Sequence, residues 1–182
     1  VSGLQNQIGR LSDIVQMLLE LTNTDAVQDK EYVLVEDIAE DIITELSDIS
    51  SKKNIQFSTD YKDAEMYGDI DMIYQVFYNL IQNSIKYNIE GGTVSVLAKN
   101  ENKKTVICIR DTGTGISDEN KVRIFDPFFC VDKSRSRAAG GVGLGLSIVR
   151  HIVDKHGGTI MVSDNRPQGT CFIIELPFLK QE

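Results

Sequence analysis

Apolar residues recur along the chain with two different periods, and these periods predict its elements. The first twenty residues carry apolar side chains alternately four and three positions apart, at Leu4, Ile8, Leu11, Val15 and Leu18. This spacing is typical of a helix packed in a coiled coil or helix bundle. A polar stretch begins at Thr22 and indicates a linker. We therefore divide the chain into residues 1–28, a bundle helix with its linker, and a main domain over residues 29–182.

In the main domain, helical periods alternate with short strand-like runs. The predicted helices cover residues 36–51, 71–88, 118–124 and 144–155, and the predicted strands cover residues 32–35, 55–59, 65–67, 93–99, 105–109, 159–163 and 170–176. Two of these strands flank a short polar loop and predict a β-hairpin. Together, these elements predict an α+β fold. It is a two-layer sandwich of a mixed β-sheet with helices on one face, preceded by one bundle-type helix.

Composition restricts the classes of partner. A net charge of −8 and a pI near 4.8 argue against a nucleic-acid or anionic-membrane surface. No run is long enough to span a membrane, so we expect a soluble, cytoplasmic chain. The three cysteines have no metal-binding spacing, which favours a reducing compartment. We interpret Cys108 and Cys171, which lie in apolar runs, as core residues.

The predicted helix 71–88 carries a polar stripe opposite its apolar side. Asn79, Asn83 and Lys86 stand at i, i+4 and i+7, so they fall on one side of the helix. Amide oxygens can ligate a hard cation such as Mg²⁺, and a lysine beside them can bind a phosphate. The alternative for this pattern alone is a solvated polar face.

Glycine motifs favour the nucleotide interpretation. D-T-G-T-G at 111–115 ends a predicted strand, and G-G-V-G-L-G-L at 140–146 opens a helix, where backbone N–H groups can hold phosphates. Between them lie F-D-P-F-F at 125–129 and a polar, basic stretch at 131–141 that we interpret as a mobile loop. The motifs match neither a P-loop nor a dinucleotide fingerprint.

These four motifs, in this order, resemble the catalytic and ATP-binding domain of a bacterial sensor histidine kinase, within the ATPase superfamily shared with gyrase and MutL. The resemblance covers roughly residues 30–179. It implies transfer of the γ-phosphoryl group of Mg-ATP to a histidine, and it makes the leading helix similar to the second helix of a dimerisation and phosphotransfer domain. The implied partners are an acceptor-histidine helix of the same or a sister chain and a response regulator receiver domain. The parent protein would be homodimeric and membrane-bound, with this part in the cytoplasm.

The resemblance also implies site residues. Asn83, with Asn79, would hold Mg²⁺, Tyr87 would lie against the purine, and Asp111 would accept a hydrogen bond from the adenine amino group. The implied catalytic residues are Asn79, Lys133 and Arg135. The implied ATP-binding residues are Asn79, Asn83, Lys86, Tyr87, Asp111, Gly113, Gly115, Ile116, Phe128, Lys133, Gly141, Gly143, Leu144, Gly145 and Leu146.

Two departures keep alternatives open. The only histidines, His151 and His156, are interpreted as ordinary helix residues, so we expect a fragment that lacks the acceptor histidine and cannot label itself. Cys130 stands where relatives place an arginine thought to touch the γ-phosphate, or else it points into the aromatic cluster. The alternatives are a non-catalytic ATP-binding or docking module, an ATP hydrolase, or a serine kinase of the same superfamily. A hydrolase needs a general base where this chain has Asn79, and an amide cannot take the proton.

Overall fold

The computed structural model describes residues 30–131 and 143–178. The predicted bundle helix and linker over residues 1–28 lie outside this range. The helices are α1 Val35–Glu45, α2 Ser47–Lys52, α3 Ile70–Lys86, α4 Asp118–Lys121 and α5 Gly145–Lys155. The strands are β1 Glu31–Leu34, β2 Gln56–Asp60, β3 Glu65–Gly68, β4 Thr93–Glu101, β5 Lys104–Asp111, β6 Thr159–Asp164 and β7 Thr170–Pro177.

The main sheet has five strands in the order β2-β4-β5-β7-β6. The β2–β4 pair is parallel, and the other pairs are antiparallel, including the predicted hairpin of β4 and β5. The mixed sheet of an α+β fold is therefore confirmed. One feature was not predicted: β1 and β3 pair with each other in a separate two-stranded antiparallel sheet.

The core lies between one face of the sheet and the helices. Alternate residues of the central strands are buried, because successive side chains of a strand point to opposite faces. They pack with the apolar sides of α1, α3 and α5 in one cluster that includes Phe77, Leu80, Val96, Ile107 and Ile174. This cluster holds α3 and α5 against the end of β5. Among the described residues, no helix combines the length and apolarity that a membrane crossing requires.

The predicted helix 36–51 is in fact two helices, because the backbone departs from helical geometry at Leu46. Leu46 is buried, whereas Ile49 is 45% exposed, although its spacing from Ile42 and Leu46 would place it on the packed face of one continuous helix. The prediction for residues 118–124 was also too long, since α4 ends at Lys121. The start of α3 is capped by Asp69, whose Oδ1 accepts a hydrogen bond from Met72 N at 3.1 Å.

The end of α3 is held by a lysine from a distant part of the chain. Lys53 Nζ donates to the carbonyl oxygens of Lys86 at 2.6 Å, Ile85 at 3.2 Å and Asn88 at 3.3 Å. The last carbonyls of a helix lack partners within the helix, and a cation is favourable there. Lys53 thereby fixes the position of the α3 end, next to Tyr87.

His156 joins the start of α3 to the end of α5. Its Nδ1 lies 2.8 Å from the Ile152 carbonyl oxygen, and its Nε2 accepts from the Asp69 N–H at 3.1 Å. Because Nε2 is an acceptor, the ring is neutral with its proton on Nδ1. Burial lowers the pKa of His156. This geometry agrees with a structural role for His156.

Candidate nucleotide-binding site

A pocket of about 350 Å³ opens between α3, the end of β5, the start of α5 and the start of β7. Its volume lies in the range of small-molecule sites. The lining residues are Asn83, Tyr87, Asp111, Thr114, Gly115, Ile116, Ile124, Phe129, Cys130, Val131, Gly143, Gly145, Leu146, Thr170 and Phe172. The pocket thus brings together residues from the polar stripe, both glycine motifs and the aromatic segment.

Asp111 is the carboxylate of the pocket and is only 4% exposed. Its Oδ1 accepts from the backbone N–H groups of Gly113 at 2.8 Å and Thr170 at 3.1 Å. Burial raises the pKa of Asp111, and these backbone hydrogen bonds act in the opposite direction because they favour the charged form. The carboxylate is therefore held rigidly by β5 and β7 together.

Two glycines allow the backbone to close around this carboxylate. A Cβ atom at Gly113 would collide with the carbonyl oxygen of Tyr87, and one at Gly169 would collide with the carbonyl oxygen of Asp111. Gly169 also has a φ of +121°, which favours glycine. Asn165 adds a hydrogen bond from its Nδ2 to the Asp111 carbonyl oxygen at 2.9 Å. The turn between β6 and β7 thus supports the end of β5.

The amide stripe meets the second glycine motif at the opposite end of the pocket. Asn83 lines the pocket, whereas Asn79 lies behind it and donates from Nδ2 to the Gln75 carbonyl oxygen at 2.8 Å. A Cβ atom at Gly145 would lie 2.6 Å from Asn79 Oδ1, so a side chain at this position would displace the amide. Among the described residues, no side chain caps the start of α5, where helix N–H groups can bind an anion.

The donor set at this end fits Mg²⁺, since amide oxygens and phosphates are the hard ligands that this ion takes. Within residues 30–131 and 143–178, no group of three or more His, Cys, Asp or Glu side chains could hold a metal. A metal here would therefore depend on the amides and on the nucleotide.

The structure places some sequence-predicted residues around the pocket and others beside it. Tyr87 lines the pocket with 44% of its surface exposed, and the Lys86 ammonium lies 5.3 Å from the centroid of its ring. The predicted ATP-binding residues that are not among the lining residues described above are Asn79, Lys86, Gly113, Phe128 and Leu144. Phe128 is 55% exposed with a φ of +64°, and Leu144 is buried before α5. Lys133, Arg135 and Gly141 lie outside the described residues.

Sequence reasoning missed several lining residues that come from separate parts of the chain, namely Thr114, Ile124, Phe129, Val131, Thr170 and Phe172. Thr170 is the most informative, because its N–H binds the Asp111 carboxylate. The sequence contained a signal for Thr170. Gly169 directly precedes an apolar strand, just as Gly113 and Gly115 follow another, and glycines at strand ends indicate a close approach of the backbone.

A comparison with family models agrees with this geometry. Residues 68–180 match the model of the histidine kinase-, DNA gyrase B- and HSP90-like ATPases, which is more than half of the chain. The chain belongs to this family. Its match begins just before α3 and runs past the end of β7, so it includes every element that lines the pocket.

Within this ATPase family, the relatives are sensor histidine kinases. The sensor histidine kinase RppB of Synechocystis sp. is 32% identical over 179 residues, which cover 96% of this chain and 39% of RppB. The chain therefore spans well under half the length of this relative. The solved catalytic domain of the histidine kinase ThkA is 32% identical with a TM-score of 0.72, covering 83% of this chain and 97% of that domain. The fold described here is that of a histidine kinase catalytic domain.

A second ThkA structure contains the kinase in complex with the response regulator protein TrrA. It is 31% identical to this chain with a TM-score of 0.76, and the match covers 96% of this chain and 49% of that one.

Cys130 is placed on the pocket side of the aromatic segment. It lines the pocket, and a Cβ atom at Gly143 would lie 2.8 Å from its Sγ. The thiol therefore lies beside the second glycine motif of this ATPase domain. A role for Cys130 in the chemistry stays a prediction.

Proposed function

We propose that this chain binds Mg-ATP in the pocket and transfers the γ-phosphoryl group to a histidine on a partner helix in two-component signalling. The observation that carries the proposal is the buried Asp111 carboxylate, held on the pocket lining by two backbone N–H groups. The membership in an ATPase family and the similarity to histidine kinase catalytic domains support it.

The Asp111 end of the pocket suits adenine. A carboxylate accepts a hydrogen bond from the exocyclic amine of adenine, whereas the carbonyl oxygen of guanine at the same place would be repelled. Tyr87 and Ile116 add an aromatic ring and an aliphatic side chain to the lining beside Asp111. We therefore propose ATP rather than GTP as the phosphoryl donor.

The amide end suits the triphosphate. Asn83 and Asn79 would hold Mg²⁺, which when bound neutralises phosphate charge. The open N–H groups at the start of α5 would bind phosphate oxygens. We include Lys86, Lys133 and Arg135 as cations for the transferring group, since phosphoryl transfer depends mainly on positioning and charge neutralisation.

The partners follow from the reaction and from the relatives. The acceptor is a histidine on a helix of the same or a sister chain, and the next acceptor is a response regulator receiver domain. The complex of ThkA with TrrA supports the second step. RppB is named a sensor histidine kinase, which supports a sensory role for the parent protein. We further propose that the parent protein is a membrane-bound homodimer with this part in the cytoplasm.

The substitution Asp111→Asn tests the adenine proposal. It replaces one acceptor oxygen by a donor that faces the adenine amine, and we expect it to weaken Mg-ATP binding by about 1–3 kcal/mol, or roughly 5- to 150-fold. Isothermal titration calorimetry with Mg-ATP and Mg-GTP measures both affinity and discrimination.

The matched control is Asp60→Asn at the end of β2, where the carboxylate is exposed and pairs only loosely with Lys62 at 3.9 Å. This variant should bind Mg-ATP like the native chain. Equal affinity of native chain and Asp111→Asn would remove Asp111 from the base pocket, and equal affinity for GTP would refute the adenine argument.

One observation favours a second function, a non-catalytic ATP-binding module. The pocket presents the Cys130 thiol near Gly143, and a thiol offers no positive charge to a phosphoryl group. We expect Cys130→Arg to speed transfer to a separately supplied acceptor-histidine domain, on the order of tenfold or more, with little change in ATP affinity. The rates are measured at saturating ATP with radiolabelled nucleotide.

Cys130→Ser is the control for this experiment, because it keeps the size and lack of charge of the thiol. Equal rates for the native chain and Cys130→Arg would mean that position 130 has no part in the chemistry. Absence of transfer from both chains would favour the non-catalytic module.

A further inference from the structure

Two cysteines lie in contact on the sheet face that is turned away from the helices. Cys108 belongs to β5 and Cys171 to β7, and their Sγ atoms are 2.8 Å apart. The pairing of these strands sets Cys108 opposite Ile173 and Arg110 opposite Cys171, so the two thiols are diagonal neighbours. The earlier interpretation of Cys108 as a core residue is thus wrong, since it is only half-buried on the outer face.

An arginine accompanies the two thiols. Arg110 Nε donates to Cys108 Sγ at 3.2 Å, and the arginine is largely exposed. The two sulfur atoms are within hydrogen-bond distance of each other, so the thiols titrate as a pair. The hydrogen bond from Cys108, together with Arg110, lowers the pKa of Cys171, and the same hydrogen bond raises the pKa of Cys108. A cation next to a thiol favours the reactive thiolate.

We propose that Cys108 and Cys171 form a redox site that is converted reversibly to an intrachain disulfide by a peroxide. The geometry carries this proposal, because the sulfur atoms need to approach by less than an ångström to reach the bond length of about 2.05 Å. In a reducing compartment such a disulfide is transient, as expected of a redox-sensing pair.

The chemistry balances with hydrogen peroxide as the oxidant. The thiolate of the pair attacks one peroxide oxygen, the O–O bond breaks, and a sulfenic acid and a hydroxide ion form. The second thiol then attacks the sulfenic sulfur, which forms the S–S bond and releases water. Two electrons pass from the sulfur atoms to the peroxide. A dithiol reductant reverses the step by thiol–disulfide exchange.

Cys130 serves as an internal control for the proposed cysteine pair. Cys130 is also half-buried, yet it lies at the pocket, while Cys108 and Cys171 lie on the opposite face of the sheet. A general sensitivity of thiols to peroxide would modify Cys130 as well. The proposed site predicts selective oxidation of the pair.

The test treats the native chain with a small molar excess of hydrogen peroxide and maps it by non-reducing peptide mass spectrometry. We expect a Cys108–Cys171 linkage, a loss of two titratable thiols, a free Cys130, and full reversal by dithiothreitol. Cys130→Ser should behave in the same way, whereas Cys108→Ser and Cys171→Ser should form no intrachain disulfide. A disulfide that includes Cys130, disulfide-linked dimers only, or sulfinic acid without any linkage would overturn the proposal.

A second experiment tests whether Arg110 speeds disulfide formation. Arg110→Gln should slow disulfide formation on the order of tenfold at neutral pH, because the rate depends on the fraction of thiolate. Arg110→Lys keeps the charge and should restore much of the rate. Arg123→Gln, which removes an arginine that stacks on Phe129, should oxidise like the native chain. An unchanged rate in Arg110→Gln would overturn the assignment of Arg110 to the site.

Discussion

The two ends of the nucleotide pocket are built in different ways. At the Asp111 end, the carboxylate is buried and held by backbone N–H groups from the segment after β5 and from the start of β7. At the amide end, the side chains come from α3 and from the segments that flank α5, and neighbours such as Phe128 and Val131 are more than half exposed. Under the proposed function, the choice of base would depend on the rigid Asp111 end, whereas phosphoryl transfer would depend on the more open amide end.

The amide end should give the largest effect on rate. Asn83→Ala removes a pocket-lining amide oxygen and should slow phosphoryl transfer to an acceptor domain about a hundredfold or more, since oriented groups at the transferring phosphate contribute on this scale. Its discrimination between ATP and GTP should stay unchanged, because Asp111 is untouched. Single-turnover transfer assays and nucleotide titrations measure the two quantities.

Gln82→Ala is the matched control for Asn83→Ala on the same helix. Gln82 is also an amide, but its Nε2 donates to the Tyr78 hydroxyl at 3.3 Å. This variant should transfer at the native rate. A native rate for Asn83→Ala, or a loss of base discrimination in that variant, would break the division of the pocket into two ends.

The Asp111 end should respond more weakly to loss of its supporting turn. Asn165→Ala removes the hydrogen bond from Asn165 Nδ2 to the Asp111 carbonyl oxygen. A hydrogen bond of this kind contributes about 0.5–1.5 kcal/mol, so we expect a loss of ATP affinity of a few-fold. The maximal transfer rate at saturating ATP should not change. A loss of affinity without a loss of rate would distinguish the Asp111 end from the amide end.

Gln168→Ala lies in the same turn and serves as the control, because its side chain is exposed. Calorimetry should give it the affinity of the native chain. If Asn165→Ala lowered the maximal transfer rate and left affinity unchanged, the turn would belong functionally to the other end.

The smallest predicted effect is on the free energy of unfolding and comes from His156. This residue joins α3 to α5, so it affects both ends of the pocket. Burial lowers the pKa of this histidine, so the folded chain resists a proton that the unfolded chain takes up below a pKa of about 6.5. The free energy of unfolding is therefore unaffected by His156 above that pH and should fall as the pH drops from about 6.5 toward 5. Denaturant unfolding at a series of pH values measures this.

His156→Gln should flatten the pH dependence in this window, and His151→Gln should leave it as in the native chain. His151 is the matched control because it lies on α5, five residues before His156, which directly follows that helix. A pH dependence that persists in His156→Gln would assign the effect to other groups.

The sequence predicted the pocket residues that stand close together in the chain. Asn83 follows from helical spacing and Gly145 from a glycine motif whose chemistry is local, whereas Tyr87 and Asp111 were implied by the resemblance to histidine kinases. Thr170 was missed because it approaches Asp111 only when β7 pairs with β5, and no periodicity encodes that pairing.

Some local predictions failed for a similar reason. The break at Leu46 turns Ile49 outward, although its spacing fits the apolar side of one long helix. Cys108 lies in an apolar run, yet strand alternation places it on the outer face. In both cases the apolar pattern was real, but the backbone decided which way the side chain points.

The sequence by itself determined the class of the fold, the helix with its amide stripe, and the kind of ligand that the motifs suit, because period and local backbone chemistry act over a few residues. The tertiary structure alone decided which groups meet. The Thr170 N–H reaches the Asp111 carboxylate, the Lys53 ammonium reaches the end of α3, and the Cys108 and Cys171 sulfurs touch. These contacts join residues 33 to 63 positions apart, and only the pairing of strands and the packing of helices bring such groups within hydrogen-bond distance.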